Sequence, residues 1–129
     1  MGSVENVELV RIAMDHTDEA ANAAAWGTSS EDLVWHFEGE GSELAGVYRG
    51  KDYVFTNFHM KLFELTDGTF EVKAIDISAA GDELVLVHYW ASMTIAGVPR
   101  SGDGALVFRV VDGAIAEVFD VPSRELLAT

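Results

Sequence analysis

The sequence contains no cysteine, so disulfide bonds, thiolate nucleophiles and thiolate metal ligands are excluded. It is also poor in positive charge, with 8 Lys and Arg against 22 Asp and Glu and a formal net charge of −14. Nucleic acids and anionic membrane surfaces attract basic proteins, so we expect neither as a partner. The same acidity disfavours a polyphosphate ligand such as coenzyme A.

Long apolar runs are absent as well. No stretch approaches the ~20 apolar residues that span a bilayer, and the N-terminal residues lack the apolar segment of a signal peptide. We therefore expect a cytoplasmic protein. The four histidines have no metal-ligand spacing, and no glycine-rich phosphate loop precedes a helix. We expect neither a metal nor a cofactor.

What the sequence does contain is a clear order of patterns within a length that suits one domain, residues 1–129. Apolar residues recur at helical spacing in the first half, whereas β-rich runs separated by turn residues fill the second. The predicted helices cover residues 4–14, 18–26 and 51–65, and the predicted strands cover residues 32–38, 69–80, 83–96, 98–111 and 114–121. Helices followed by antiparallel strands are typical of an α+β fold with helices on one face of the sheet.

The strongest local signal is the segment Val107–Pro122, VFRVVDGAIAEVFDVP. Asp112 and Gly113 separate two β-rich runs, and Asp-Gly is favoured in type I′ turns because both central residues need positive φ. The second run carries Asp120 among apolar neighbours. Such a carboxylate is either a strand-end cap near Ser123 or a functional group in a pocket.

Three segments carry a resemblance to a known family: LVWHFEGEGSELAGVYRG, AAGDELVLVHYWASM and VFRVVDGAIAEVFD. In order and spacing they resemble the SnoaL-like, ketosteroid-isomerase-related branch of the nuclear transport factor 2-like superfamily, over nearly the whole chain. The resemblance implies a conical α+β barrel, in which N-terminal helices pack on a strongly curved, mostly antiparallel sheet. It also implies a deep apolar pocket for a small hydrophobic molecule and a homodimer packed through the sheet.

The resemblance suggests two catalytic residues. His36 lies where ketosteroid isomerases carry an aspartate base, and its ordinary pKa of ~6.5 suits that role. Strand alternation places His36 and Trp35 on opposite faces of the same strand. The Asp120 face looks into the cone by the same resemblance, where an apolar setting raises a carboxyl pKa. The open alternative for His36 is a hydrogen-bonded histidine at a strand end.

The long strand 83–96 has two possible phases. The favoured phase points Tyr89 and Met93 inward, with Tyr89 donating a hydrogen bond to the ligand, and leaves His88 and Trp90 outside at a possible dimer face. A single β-bulge reverses this phase and points His88 inward. His88 then forms a candidate catalytic set with His36 and Asp120.

Further ligand-binding candidates lie on the helices and the sheet. Asn57 and Tyr53 belong to the helix expected to roof the cone, where Asn57 has solvent exposure as its alternative. Three large aromatic residues are candidates for core and pocket wall: Trp26, Phe63 and Phe108.

Departures from the family leave the function open between two classes. Leu106 stands where ketosteroid isomerases carry the protonated aspartate of their oxyanion hole. Val87 and Tyr89 stand where epoxide hydrolases of this superfamily have an Arg-Asp pair. We therefore expect either an enzyme of isomerase, cyclase, dehydratase or epoxide-hydrolase type that uses acid–base chemistry without a cofactor, or a non-catalytic module that binds a neutral, possibly polyketide- or steroid-like ligand. A scaffold that only dimerises is a third, weaker reading.

Overall fold

The computed structural model describes residues 2–127. Within that range, no helix is both long and apolar enough to cross a bilayer. The helical elements are α1 (Ser3–Met14), α2 (Glu19–Gly27), α3 (Lys51–Val54), a π-helical turn (Phe55–His59), α4 (Met60–Leu65) and α5 (Arg124–Leu127). The strands are β1 (Val34–Phe37), β2 (Gly46–Arg49), β3 (Glu71–Ala80), β4 (Leu84–Ile95), β5 (Val98–Val111) and β6 (Ala114–Pro122).

The six strands form one mixed sheet in the order β2-β1-β6-β5-β4-β3. Every neighbouring pair is antiparallel except β1 and β6, which are parallel. The register shifts once in β3, between Ala74 and Asp76, and once opposite β6, between Arg109 and Val110. Bulges of this kind bend a strand and increase its twist, which lets the sheet curve around the helices.

The two faces of the sheet differ sharply along β4. Val85, Val87 and Tyr89 are buried, whereas Leu86 and Trp90 are 41% and 47% exposed. We call the first face the inner face, against which α1 packs, and the second the outer face. The favoured phase of strand 83–96 is therefore confirmed. The predicted α+β fold, with helices on a mostly antiparallel sheet, is confirmed as well.

Local signals in the sequence have the structural effect that we expected. Asp112 and Gly113 have φ values of 51° and 80°, as a type I′ turn requires. The Asp18 side chain accepts a hydrogen bond from the backbone N–H of Ala21 and so caps α2.

Three features differ from the predicted pattern. Strand β2 and helix α5 are each four residues long, too short for a periodic signal, and were not predicted. Strand β1 is shorter than the predicted run at residues 32–38. The helix predicted at residues 51–65 is continuous, but its centre is the π-helical turn, whose wider spacing a 3.6-residue pattern does not reveal.

The core lies between the inner face and the helices. Phe108, Val118 and Ile115 are fully enclosed there, at 0% exposure. Phe108 was predicted to be core and pocket wall; it packs below Trp26, with ring centroids 5.9 Å apart, and does not line the cavity described below. Its large side chain sits in the central strand β5, so it supports the sheet from within.

We predict that Phe108→Ala lowers the free energy of unfolding by about 3–5 kcal/mol, because it removes a fully buried ring and leaves a void. Val98→Ala, also in β5 but at a position 52% exposed, is the control and should stay within about 0.5 kcal/mol. Urea unfolding measures both. A small loss for Phe108→Ala would show that Phe108 is not a core residue.

Candidate functional site

A cavity of about 590 Å³ opens between the inner face and the helices. Its size falls in the range of small-molecule sites, and its walls are mainly apolar and aromatic. The large apolar side chains in the lining are Trp26, Trp35, Phe37, Phe55, Phe58, Phe70, Met93 and Leu106. Few polar groups reach this surface, so each of them matters for what the cavity can bind.

The central polar group is Asp120 on β6. It pairs with Leu106 on β5 and with Phe37 on β1, and all three residues line the cavity. The hydroxyl of Tyr89 donates a hydrogen bond to Asp120 Oδ1 over 3.1 Å. Two groups that sequence reasoning proposed separately therefore form one hydrogen-bonded pair.

The enclosure changes the protonation of both groups. Burial raises the pKa of the Asp120 carboxyl to about 7, although the Tyr89 hydroxyl and the nearby indole N–H of Trp35 oppose the rise. Burial, and then the charge of Asp120, raise the pKa of Tyr89 above its ordinary value. Tyr89 thus stays protonated as a donor, while Asp120 exchanges its proton near neutral pH.

Gly104 makes the contact between these residues possible. Tyr89 lies opposite Gly104, and Gly104 lies opposite Pro122, so the tyrosine side chain must cross β5 to reach Asp120 on β6. A Cβ atom on Gly104 would lie 2.5 Å from the Tyr89 hydroxyl oxygen and 2.8 Å from the carbonyl oxygen of Val121. Only glycine leaves the path open.

Trp35 brings a second donor to the same region. It points to the inner face from β1, and its buried indole N–H lies near the Asp120 carboxyl, whose pKa it lowers. The Tyr89 hydroxyl and the Trp35 indole therefore both stabilise the carboxylate form of Asp120. Trp35 was recognised in the sequence only as the strand neighbour opposite His36.

His59 is a further polar residue of the lining, which also includes His16, Asn22, Ser42 and Glu43. Its ring contacts those of Trp35, Phe58 and Phe55 at centroid distances of 4.6, 5.0 and 5.2 Å. Burial lowers the pKa of His59 to about 4, with a small opposing effect from the Val54 backbone. Its imidazole is therefore neutral at physiological pH.

The expectation that His36 and Asp120 project into one hollow is wrong. In the parallel pairing of β1 with β6, His36 lies beside Phe119 and Phe37 lies beside Asp120, so the two candidates occupy opposite faces of the sheet. On the outer face His36 Nε2 is 2.6 Å from Glu117 Oε2, and its ring stacks on Phe119 at 4.1 Å. The alternative of a hydrogen-bonded strand histidine describes it correctly.

The alternative set of His36, His88 and Asp120 does not form either. His88 lies on the outer face, where it is exposed and its Nε2 is 3.0 Å from Asp103 Oδ2. No bulge interrupts the pairing of β4 with β5, so the alternation along β4 keeps His88 away from the cavity.

The remaining candidates divide into two groups. Trp26 and Met93 line the cavity as expected. Tyr53 and Phe63 are 49% and 63% exposed, and Asn57 is partly buried; none of the three belongs to the cavity lining, where they were expected. The helical run, which we define as α3, the π-helical turn and α4, packs on the sheet with the side that carries Phe58. Tyr53, Asn57 and Phe63 lie on its other sides.

Arg100 also lines the cavity. It faces inward because it pairs with the buried Met93. As for metals, no group of three or more His, Asp or Glu side chains among residues 2–127 could hold an ion.

Comparison with known proteins identifies the fold. No protein-family model and no curated protein matches the sequence. Solved structures do match: a protein of unknown function with a cystatin-like fold from Xanthomonas campestris (26% identity, 97% of this chain and 93% of that one, TM-score 0.77), an NTF2-like protein from Burkholderia thailandensis (23%, 99% and 96%, 0.78) and a LEH-like epoxide hydrolase from M. tuberculosis (22%, 97% and 88%, 0.70). The chain has the cystatin-like fold of NTF2-like proteins, and the predicted resemblance is confirmed at the level of the fold.

We predict that Gly104→Ala destabilises the protein by about 1–3 kcal/mol, because the added methyl group overpacks against Tyr89 and the backbone of β6. Gly27→Ala is the control, since a Cβ there meets nothing within 4 Å. Combining Gly104→Ala with Tyr89→Leu should cost less than the sum of the two single changes. Strict additivity in urea unfolding would contradict the contact.

We also predict a pH dependence of stability that belongs to Asp120. Its pKa rises from 3.8 to about 7 on folding, so its contribution to stability is complete below about pH 4 and is lost as the pH rises through 7. The loss amounts to at most about 4 kcal/mol. Asp120→Asn should therefore gain stability relative to wild type between pH 4 and pH 8.

The control for this pH dependence is Asp103→Asn on the outer face. The hydrogen bond from His88 lowers the pKa of Asp103, so its contribution has the opposite sign and is lost as the pH falls. Urea unfolding at several pH values measures the difference in unfolding free energy between wild type and each of the two variants. If Asp120→Asn and wild type keep a constant difference from pH 4 to pH 8, Asp120 ionises in the folded protein as it does in water.

Proposed function

We propose that this protein is an enzyme that moves a proton to or from a small, neutral, hydrophobic molecule by acid–base chemistry, without a cofactor. Asp120 is the acid–base group, and Tyr89 holds it in place. The observation that carries the proposal is the hydrogen-bonded Asp120–Tyr89 pair, enclosed in an apolar cavity of about 590 Å³.

Asp120 suits proton transfer because its pKa of about 7 lies near working pH. The carboxylate then accepts a proton readily, and the protonated acid returns it without a large barrier. In this proposal Tyr89 holds Oδ1 as a donor, and Oδ2 receives the proton from the ligand. The Trp35 indole N–H, which lies near the same carboxyl, helps to hold it in place.

The cavity walls favour a neutral and largely apolar ligand. Aromatic rings from β1, α2 and the helical run surround the space, and flat apolar molecules gain most from such walls. The chain's net charge of −14 repels anionic ligands. The M. tuberculosis neighbour is an epoxide hydrolase, which supports small-molecule chemistry on this fold, although one fold hosts many activities.

A non-catalytic binding module is the second candidate. The observation that favours it is the absence, among residues 2–127, of a second carboxylate or imidazole bonded to Asp120. His36, the partner expected from the sequence, is bonded to Glu117 on the outer face. A single acid–base group must then both take up and return the proton.

Hydrogen exchange into a ketone distinguishes the two candidates. The probes are neutral bicyclic and polycyclic ketones, beginning with α-tetralone, incubated with the protein in heavy water and analysed by mass spectrometry. We expect wild-type protein to accelerate deuterium uptake next to the carbonyl, with a rate that rises with pH through about 7 because the carboxylate is the base.

Asp120→Asn should lower the rate by ~10²–10⁴-fold, since it removes the base but keeps the shape. Asp103→Asn, which is exposed on the outer face, should retain the wild-type rate. Equal rates for Asp120→Asn and wild type would rule out Asp120 as the base. Saturable binding of the ketones without any exchange would favour the binding module.

A further inference from the structure

His59 occupies an unusual place in the helical run. It ends the π-helical turn Phe55–His59, which lies between two α-helical segments. Phe55 and His59 are four residues apart, so they lie on one side of the helix, with ring centroids 5.2 Å apart. Both line the cavity together with Phe58. Single π-helical turns inside α-helices are common at functional sites.

The surroundings of this imidazole are hydrocarbon. Four aromatic rings lie within about 6 Å of its centroid, and the nearest is that of Trp35 at 4.6 Å. Its Nδ1 is buried, and the Val54 backbone interacts with the ring. This interaction offsets only part of the lost hydration, because burial has the larger effect on the His59 pKa.

A neutral imidazole always carries one N–H donor and one unprotonated acceptor nitrogen. Since burial lowers the pKa of His59 to about 4, it keeps both capacities at physiological pH. The Trp35 indole contacts the imidazole and also approaches Asp120, so the two polar groups lie at different parts of one cavity wall. A ligand large enough to cover this indole reaches both.

We propose that His59 is a second hydrogen-bonding anchor for the ligand, separate from the Asp120–Tyr89 pair. The ligand class is then a neutral, flat molecule with two oxygen-bearing groups, one at Asp120 and the other at His59. This inference rests on the proposed function only for the oxygen-bearing group placed at Asp120. The hydrogen bond to His59 requires a bound ligand but no reaction.

The test compares two probes that differ by one hydroxyl group, 2,6-dihydroxynaphthalene and β-naphthol. Binding is followed by quenching of tryptophan fluorescence, because Trp26 and Trp35 line the cavity. We expect wild-type protein to bind the diol about fivefold more tightly, as one additional hydrogen bond contributes about 1 kcal/mol. His59→Phe should bring this ratio close to one, whereas His59→Gln should restore part of it.

Thr56→Ala is the control on the same turn, at an exposed position, and should keep the wild-type ratio. If His59→Phe unfolds, nitrogen-15 NMR of the wild-type imidazole replaces it: the diol should shift the His59 side-chain resonances and leave those of the exposed His88 unchanged. A fivefold ratio that survives in His59→Phe, a wild-type ratio of one, or unshifted His59 resonances would each overturn the anchor.

The outcome is independent of the exchange experiment. Suppose that His59→Phe loses the preference for the diol over β-naphthol, and that wild-type protein causes no deuterium uptake. This result would support the anchor and contradict the proposed enzyme. Deuterium uptake that depends on Asp120, together with an unchanged ratio in His59→Phe, would support the enzyme and contradict the anchor.

Discussion

A carboxyl group enclosed by aromatic side chains needs a hydrogen-bond donor, and in this cavity Tyr89 donates to Asp120 over 3.1 Å. The hydrogen bond joins β4 to β6, because the tyrosine side chain reaches across β5 above Gly104. Three residues on three neighbouring strands therefore depend on one another: the glycine clears the path, the tyrosine fills it, and the aspartate receives the bond. The curved sheet supplies the geometry, and the apolar walls supply the low polarity that shifts the carboxyl pKa.

Much of the fold could be predicted from local chemistry. The Asp112-Gly113 turn, the Asp18 cap and the alternation along β4 each follow from a few residues, and each has the expected structure. Alternation also correctly separated Trp35 from His36 on β1. Which of those two sides faces inward was not a local property, since it depends on the parallel pairing with β6, which joins residues more than 80 positions apart.

The site could be predicted only in part for the same reason. Asp120 and Tyr89 stood out because each is a polar residue in an apolar strand, and the family resemblance indicated which face of each strand points inward. His59 was not recognised, although it lies four residues after Phe55 and three before Leu62, a spacing that places all three on one helix side, and all three line the cavity. The role of Gly104 depends on a side chain 15 positions away, and the Asp103-Gly104 pair, a dipeptide that is typical of turns, lies within strand β5 here.

The account stands on the protonation of one group, which carbon-13 NMR of the aspartate carboxyl carbons in the folded wild-type protein measures directly. The Asp120 resonance should titrate with a midpoint near pH 7, while the exposed Asp103 titrates below 3.8. A midpoint for Asp120 near 3.8 would mean that water solvates the carboxyl group, and Asp120 could then not serve as the acid–base group at neutral pH.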